Sequence, residues 1–199
     1  KIPEMFDGAV DGSLKALWIF AEDVVQTDPN THHVVKAMQG LDLLVVQEIF
    51  MSETAKMADV VLPGTTFLEK SGTFTNTERR VQQVNAAVKP LKGTKTDGQI
   101  IVEMMRKLGF DQPDFDASEV LKEVASVVSF FEGITWEGLG ANPMGLQWPV
   151  NKKGEDTQIL HINEFKRGKG KFHYYDWRES EELVKHKNEY PFILTTSRE

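Results

Sequence analysis

The stretch from Leu43 to Leu62, LLVVQEIFMSETAKMADVVL, decides the fold of this chain. Its first residues, 43–47, form a short apolar run that predicts a buried strand, and residues 60–62 predict a second one. Between them, Ser52 can cap a short helix that runs through Ala58. A strand, a helix and a strand joined by short connections are typical of a parallel sheet with a right-handed crossover.

The same alternation extends upstream of this stretch. The run LKALWIF at residues 14–20 predicts another buried strand. Asn30 or Thr31 can cap a helix over about residues 32–39, and Gly40 can end it. The order of elements therefore predicts an α/β fold, a Rossmann-like three-layer domain with a mainly parallel sheet, followed by an irregular C-terminal part.

The downstream half is less regular. We expect a turn-rich loop at 72–77, a strand within 81–88, and helices over 97–108 and from Asp116 to about residue 128. Turns and hairpin pieces are expected over 133–171, with strands at 171–177 and 192–196. The predicted division is an α/β domain at 1–132, an irregular extension at 133–189, and the first strand of a truncated further domain at 190–199.

The composition excludes several classes of function. The chain has 199 residues, 40% of them hydrophobic and 27% charged, and no cysteine, so by itself it forms no disulfide, thiolate zinc site or iron–sulfur site. The net charge of −7 argues against nucleic acid and against an anionic membrane surface. No apolar run approaches the roughly 18 residues of a membrane span, so we expect a soluble, cytoplasmic protein without membrane contact. The first residue, Lys1, indicates an internal piece of a longer chain.

The carboxyl ends of the parallel strands are the expected ligand site. Glu48 follows the second predicted strand, where a carboxylate can accept hydrogen bonds from both hydroxyls of a ribose; a solvated strand-end glutamate is the other interpretation. Neither a G-x-G-x-x-G fingerprint nor a P-loop motif is present, which argues against a conventional nicotinamide, flavin or P-loop site. Residue spacing alone identifies no catalytic set.

Several motifs in a fixed order add a family resemblance. They are ALWIFAEDVVQTDPN (16–30), VVQEIF (45–50), TAKMADVVLP (54–63), EKSGTFTNTERRVQ (69–82), KTDGQII (95–101) and YPFILTTSRE (190–199). In this order they resemble the molybdopterin oxidoreductases, and their wording is most similar to formate dehydrogenase alpha subunits. One departure is that Val24 and Val25 replace a proline that is usual in the family's first motif.

The resemblance implies a multi-domain enzyme built around two molybdopterin guanine dinucleotides with molybdenum or tungsten, and a [4Fe-4S] cluster in another domain. Such an enzyme oxidises formate to carbon dioxide and passes electrons to iron–sulfur centres. This chain would be a cofactor-binding fragment without a catalytic residue or metal ligand. Its implied partners are the remaining domains of the same polypeptide and an iron–sulfur or electron-acceptor subunit. Two alternatives stay open, a non-catalytic scaffold subunit of the NADH dehydrogenase type and a nitrate reductase.

The resemblance also assigns cofactor-binding residues. Asp97 is expected at the guanine edge, and Lys70 at the pyrophosphate or guanine O6; a structural salt bridge is the other interpretation for each of these positions. Gln47 and Glu48 are expected at the ribose, and Gly72 is expected to allow a close backbone approach. Arg79 and Arg80 either reach phosphate or pair with local acids. The full set of predicted cofactor contacts is Glu22, Gln47, Glu48, Thr54, Lys70, Gly72, Arg80, Asp97, Thr196 and Arg198.

Overall fold

The computed structural model describes residues 1–165 and 167–194. The chain forms two compact units, Lys1–Gln158 and Ile159–Glu199. The predicted end of the last strand and the predicted contacts Thr196 and Arg198 lie outside the described residues.

The first unit holds most of the regular structure. Its helices are α1 (Ile2–Asp11), α2 (Val24–Thr27), α3 (Thr31–Gln39), α4 (Glu53–Lys56), α5 (Asp97–Lys107), α6 (Ala117–Val127) and α7 (Trp136–Ala141). Its strands are β1 (Ala16–Phe20), β2 (Leu43–Glu48), β3 (Val60–Pro63), β4 (Gly72–Thr75), β5 (Arg80–Val84) and β6 (Leu146–Gln147). Short 3-10 turns lie at Phe67–Glu69 and Ser129–Phe131.

The predicted parallel sheet is confirmed. The strand order is β1-β2-β3, and both pairs are parallel, with Ile19 opposite Val46 and Val46 opposite Val61. One face of the sheet packs under α1, α3 and α4 because apolar side chains alternate along the strands and recur along the helices. The buried residues of this core are Phe6, Ala9, Ile19, Val34, Ala37, Met38, Leu44, Val46 and Ala55.

Local capping explains the helix boundaries. The Asn30 side chain accepts a hydrogen bond from the His33 N–H at 3.3 Å, and Ser52 accepts one from the Ala55 N–H at 3.2 Å. The predicted helix from Asp97 is confirmed as α5. Beyond its end, Gly109 adopts a φ of 89°, a left-handed conformation that glycine tolerates and that stops the helix.

The middle of the chain differs from expectation. Residues 72–75, predicted to lie in a loop, form β4, which pairs antiparallel with β5, and β5 pairs antiparallel with β6. The loop prediction is wrong: glycine is typical of turns, but the β-branched and aromatic residues after Gly72 fit a strand once a partner is present. Helix α7 also lies inside the segment predicted as turns and hairpins. A second core forms here, from Val81, Leu121, Ile134, Leu139 and Val150.

The second unit contains one described helix, α8 (Glu181–His186). The strand predicted at 171–177 is wrong, since these residues have no regular structure. The alternation there is present, but a strand also needs a partner for its backbone N–H and C=O groups. Residues 192–194 are likewise not a strand, and the rest of that prediction lies outside the described residues. Among the described residues, no helix has the length and apolar character that a membrane crossing requires.

Candidate functional site

Three predicted site residues meet at the carboxyl end of β2. Gln47 is only 1% exposed, and its Nε2 donates a hydrogen bond to Asp97 Oδ1 at 2.9 Å. Lys70 Nζ forms an ion pair with the other carboxylate oxygen, Asp97 Oδ2. In the sequence, Gln47 is 50 residues and Lys70 is 27 residues from Asp97. We call them the Gln47–Lys70–Asp97 cluster.

The start of α5 positions Asp97 within this cluster. Just before the helix, the Lys95 N–H donates to the Pro63 carbonyl at 3.2 Å, which ties the helix start to the end of β3. A carboxylate in the first turn of a helix also interacts favourably with the positive end of the helix dipole. Gly64 lies close to the Asp97 carboxylate, because a Cβ at position 64 would be 3.4 Å from Asp97 Oδ1. Sequence reasoning did not select Gly64, although it directly follows the strand-ending proline.

Some buried side-chain oxygens of the cluster and of the residues near it in the sequence have no partner. Among the described residues, Gln47 Oε1, Thr65 Oγ1 and Thr96 Oγ1 are buried and have no hydrogen-bond partner. The Gln47 amide is oriented by its own bond, because its Nε2 must face the carboxylate and its Oε1 must therefore point elsewhere. A buried polar atom without a partner is costly. A ligand that brings N–H or O–H donors would satisfy these atoms.

The two predicted glutamates flank the cluster at the same edge of the sheet. The Glu48 carboxylate accepts from the Ile49 N–H at 2.7 Å, and its carbonyl accepts from the Gly64 N–H at 3.1 Å. The end of β1 reaches this edge because the Ala21 N–H donates to the Gln47 carbonyl at 2.9 Å. Exposed Glu22 follows it and accepts from the Thr27 hydroxyl at 2.6 Å. Both carboxylates therefore remain at the sheet edge where a ligand is expected.

Thr54 lies beneath this edge. It is fully buried, and its Oγ1 donates to Asp23 Oδ1 at 2.6 Å while its N–H donates to the same oxygen at 3.0 Å. The same hydroxyl accepts from the Val25 N–H at 3.1 Å. This geometry supports a positioning role, in which Thr54 holds the turns that follow β1 and β2 at a set distance. Its direct contact with a cofactor stays a prediction.

Asp23 is the charged member of this pair. Burial raises the pKa of its carboxyl, but hydrogen bonds from the Thr54 hydroxyl and from the backbone N–H groups of Thr54 and Glu53 outweigh that effect, together with one from Gln26. The net result is a lowered pKa, so the carboxylate is charged at neutral pH. Sequence reasoning missed this role, although a carboxylate directly after a strand is a recognisable signal.

Gly72 lies near the cluster and Arg80 at the other end of the hairpin. Gly72 is at the first position of β4, opposite Val84, and no atom lies within 4 Å of the place where its Cβ would be. A cavity of about 320 Å³ opens beside it, and Lys70, Asp97 and Phe115 are among its lining residues. Arg80 begins β5 and pairs with Glu78 at 3.3 Å. The arrangement thus brings Gly72 together with the cluster and does not bring Arg80 there.

The Arg79 side chain stabilises the fold through hydrogen bonds to the backbone. Its guanidinium donates to the backbone carbonyls of Trp148, Thr157 and Gln158, and it lies 5.6 Å from the centre of the Trp148 ring. This supports the local structural role over the phosphate role for Arg79. Thr196 and Arg198, the remaining predicted contacts, lie outside the described residues.

The arrangement is suited to binding rather than to chemical transformation. Carboxylate and amide acceptors and one ammonium donor converge at the end of a parallel sheet, next to a cavity. Such groups can hold a ligand that carries both N–H donors and anionic oxygens.

Comparisons with known proteins are consistent with a binding site of this kind. Residues 1–107 match the model of the molybdopterin oxidoreductase family. The F420-dependent formate dehydrogenase subunit alpha of Methanocaldococcus jannaschii is 43% identical over 202 residues, which cover 99% of this chain and 29% of the relative. The F420-dependent formate dehydrogenase 2 subunit alpha of Methanococcus maripaludis is also 43% identical, over 98% of this chain and 29% of the relative.

A solved structure shares the fold. Acetylene hydratase from Pelobacter acetylenicus superimposes with a TM-score of 0.59 at 24% identity, over 72% of this chain and 20% of that protein. At this identity the likeness concerns the fold alone. The chain spans less than a third of the length of the relatives that it matches in sequence.

Proposed function

This chain belongs to the molybdopterin oxidoreductase family, and we propose that it is the part of a formate dehydrogenase alpha subunit that holds a molybdopterin guanine dinucleotide. The relatives named formate dehydrogenase support the activity. The single observation that carries the site is the Gln47–Lys70–Asp97 cluster, with its buried unpartnered acceptor.

The residues present fit the dinucleotide chemically. A guanine base presents N1–H and N2–H₂ side by side, and a pterin also carries N–H donors. The orphaned Gln47 Oε1 and the Asp97 carboxylate are acceptors for such donors. Lys70 uses one of its donors on Asp97, so its ammonium can also serve a pyrophosphate or the guanine O6.

The strand-end glutamates complete the proposed site. Glu48 and Glu22 lie at the same edge, where ribose hydroxyls can donate to a carboxylate. Gln47, which the sequence paired with Glu48 at the ribose, is buried beside Asp97 and is better placed for a base. Asp23 and Thr54 hold the two turns in position.

This chain binds the cofactor but does not carry out the chemistry. When bound, the cofactor supplies molybdenum or tungsten, at which formate is oxidised to carbon dioxide in the whole enzyme. The iron–sulfur centres that would accept the electrons would be held elsewhere, because this chain has no cysteine to ligate a cluster. The further partners proposed are the remaining domains of the polypeptide and an electron-acceptor subunit.

The test is Asp97→Ala in the full-length polypeptide that carries this segment. A charge-assisted hydrogen bond contributes about 1.5–3 kcal/mol, so dinucleotide affinity should fall by about 10- to 100-fold. The measurements are dinucleotide content by mass spectrometry and formate oxidation with an artificial electron acceptor. Glu103→Gln is the matched control, since it removes a carboxylate that pairs with Lys95 on the surface at 2.5 Å.

Three results would contradict the proposal. Dinucleotide content equal in Asp97→Ala and Glu103→Gln would remove the cofactor role from the cluster. A full-length protein that contains no dinucleotide would favour the scaffold of the NADH dehydrogenase type, and reduction of nitrate in place of formate oxidation would favour nitrate reductase.

A further inference from the structure

Glu69 directly precedes Lys70, yet its side chain binds other partners. Its Oε2 accepts hydrogen bonds from the Thr66 N–H at 2.9 Å and from the Thr66 hydroxyl at 3.0 Å. Its Oε1 accepts one from the Leu91 N–H at 3.0 Å. Each carboxylate oxygen is thus used on a different segment of the chain. None of the cofactor contacts proposed above uses Glu69.

The first of these segments carries Lys70. It begins at Gly64, which lies close to the Asp97 carboxylate, and continues through the 3-10 turn Phe67–Glu69. Thr66 begins this turn, because its carbonyl accepts from the Glu69 N–H at 3.1 Å. The Glu69 carboxylate therefore closes the turn that directly precedes Lys70, and it limits the positions from which the lysine can reach Asp97.

The second segment leads to Asp97. Leu91 begins a turn in which the Thr94 N–H donates to the Leu91 carbonyl at 3.1 Å, and α5 begins at Asp97 shortly afterwards. One carboxylate therefore joins the segment that carries Lys70 to the segment that carries Asp97.

Backbone contacts upstream of Leu91 also join the two segments. The Leu68 carbonyl accepts from the Ala87 N–H at 2.8 Å and from the Val88 N–H at 3.0 Å. The Glu69 link is nearer to Asp97 in the sequence than these two bonds. It therefore acts on the part of the second segment that the backbone bonds leave least constrained.

The charge of Glu69 suits this position. Hydrogen bonds from the Thr66 N–H and hydroxyl, together with one from the Leu91 N–H, lower the pKa of the carboxyl although burial opposes them, so it is charged at neutral pH. A carboxylate has two acceptor oxygens and no donor, so it can accept from both segments at once. An amide of the same shape has one oxygen, so one of the two backbone N–H groups would face an NH₂ group.

We propose that Glu69 is a positioning residue of the cofactor site: by joining the two segments, it fixes the distance between Lys70 and Asp97 where the dinucleotide binds. This inference rests on the proposed function, in which Lys70 and Asp97 contact the cofactor. Glu69 acts through these two side chains instead of contacting the cofactor itself. Without the link, both groups remain in the chain but are no longer held in the geometry that the ligand needs.

The experiment compares Glu69→Gln, Lys70→Met and the double variant in the full-length polypeptide. Each holoprotein is diluted into cofactor-free buffer, and dinucleotide release is followed by mass spectrometry. Lys70→Met should release the dinucleotide at least about 10-fold faster, because it removes one charge-assisted contact. Glu69→Gln should accelerate release by about 3- to 10-fold, since the lysine is present but not held in place.

A matched control and a second variant keep the test decisive. Glu103→Gln makes the same chemical change in a carboxylate that pairs with Lys95 on the surface, and its release should equal that of wild type. Thr66→Val weakens the same link from its other end and should also accelerate release. It answers the question if Glu69→Gln does not fold.

The double variant separates positioning from general stability. Adding Glu69→Gln to Lys70→Met should accelerate release by less than about 2-fold, because the distance that Glu69 fixes has then lost one of its two ends. A residue that only stabilises the fold would give the same acceleration in both backgrounds, since its effect would not pass through the lysine.

Three outcomes would overturn the proposal. They are release from Glu69→Gln, or from Thr66→Val if the former does not fold, that is as slow as from Glu103→Gln; equal acceleration by Glu69→Gln with and without Lys70→Met; and release unchanged in both Lys70→Met and Asp97→Ala. The first two leave the proposed function intact, whereas the third contradicts the proposed function as well.

Discussion

At the scale of single residues, the position of one carboxylate depends on distant side chains. Asp97 has an ordinary place in the sequence, the first residue of a helix, yet Gln47 and Lys70 bind its two oxygens. The buried Gln47 Oε1 remains without a partner in the described residues. A buried acceptor without a partner is costly, and a ligand that donates to it would remove that cost.

Substitution of Thr54 tests the hydrogen bonds that join the turn after β1 to the turn after β2. Thr54→Val should destabilise the chain by about 1–3 kcal/mol, because it leaves the Val25 N–H and the Asp23 carboxylate short of a partner. Thr54→Ser, which keeps the hydroxyl, is the control and should cost less. The measurement is urea unfolding of both variants. A Thr54→Val variant as stable as wild type, or a Thr54→Ser variant that loses more stability than Thr54→Val, would show that the methyl group and not the hydroxyl matters.

The lowered pKa of Asp23 gives a prediction about pH. A carboxyl with a lower pKa in the folded state stabilises that state above its unfolded pKa of about 3.9, and the stabilisation disappears as pH falls through the folded pKa. Wild type should therefore exceed Asp23→Asn in stability by a constant amount near neutral pH, and the difference should shrink below about pH 4. Unfolding in urea at a series of pH values measures it.

Other carboxylates do not obscure this difference. Hydrogen bonds from the Thr66 N–H to Glu69 and from the Ser118 hydroxyl to Asp116 also lower the pKa of those groups, but they act equally in both proteins. A stability difference that stays constant down to acid pH would remove the charged role from Asp23.

At the scale of elements, each sheet is held by a different kind of contact. The parallel sheet lies on a continuous apolar core under α1, α3 and α4. The antiparallel sheet depends on close backbone approach at its third strand, where Gly145 precedes β6 with a φ of 76°. A Cβ at Gly145 would collide with the Val81 carbonyl oxygen, so only glycine fits there.

Gly145→Ala should destabilise the chain by about 1–3 kcal/mol, since it adds this collision to an unfavourable positive φ. Gly154→Ala is the matched control. Gly154 has a φ of 81°, and nothing lies within 4 Å of the place where its Cβ would be. The difference between the thermal midpoints of the two variants measures the collision alone. Equal midpoints would show that the backbone near β6 moves away without cost.

At the scale of the whole molecule, the proposed function makes this chain one side of a cofactor site. It holds the Gln47–Lys70–Asp97 cluster at the end of the parallel sheet, and it leaves large apolar side chains of that sheet exposed. Both features are expected for part of a larger protein, in which other segments close the site and cover the sheet.

The chain of residues 1–199 alone should not oxidise formate, even when cofactor is supplied. The proposed function places the metal and the iron–sulfur centres in contact with other segments, and the chain contributes no cysteine. The measurement is reduction of an artificial electron acceptor by formate, with the full-length polypeptide as the positive control. Activity in the isolated chain would show that the catalytic centre lies within these residues.

The sequence by itself determined the parallel sheet, the helices that begin after Asn30, Ser52 and Thr96, and the family. Each of these depends on information within a few positions, such as an apolar run, a capping side chain or a motif. The order of the motifs also predicted Lys70 and Asp97 as site residues, and the structure brings these two side chains into contact.

Only the tertiary structure decided the rest. Residues 72–75 became a strand because β5 lies beside them, and residues 171–177 did not, although their alternation is typical of a strand. In the structure, Arg79 also donates hydrogen bonds to backbone carbonyls, and Gln47 donates one to Asp97. Strand pairing and burial depend on partners far away in the sequence, and local propensity contains no information about which partner arrives.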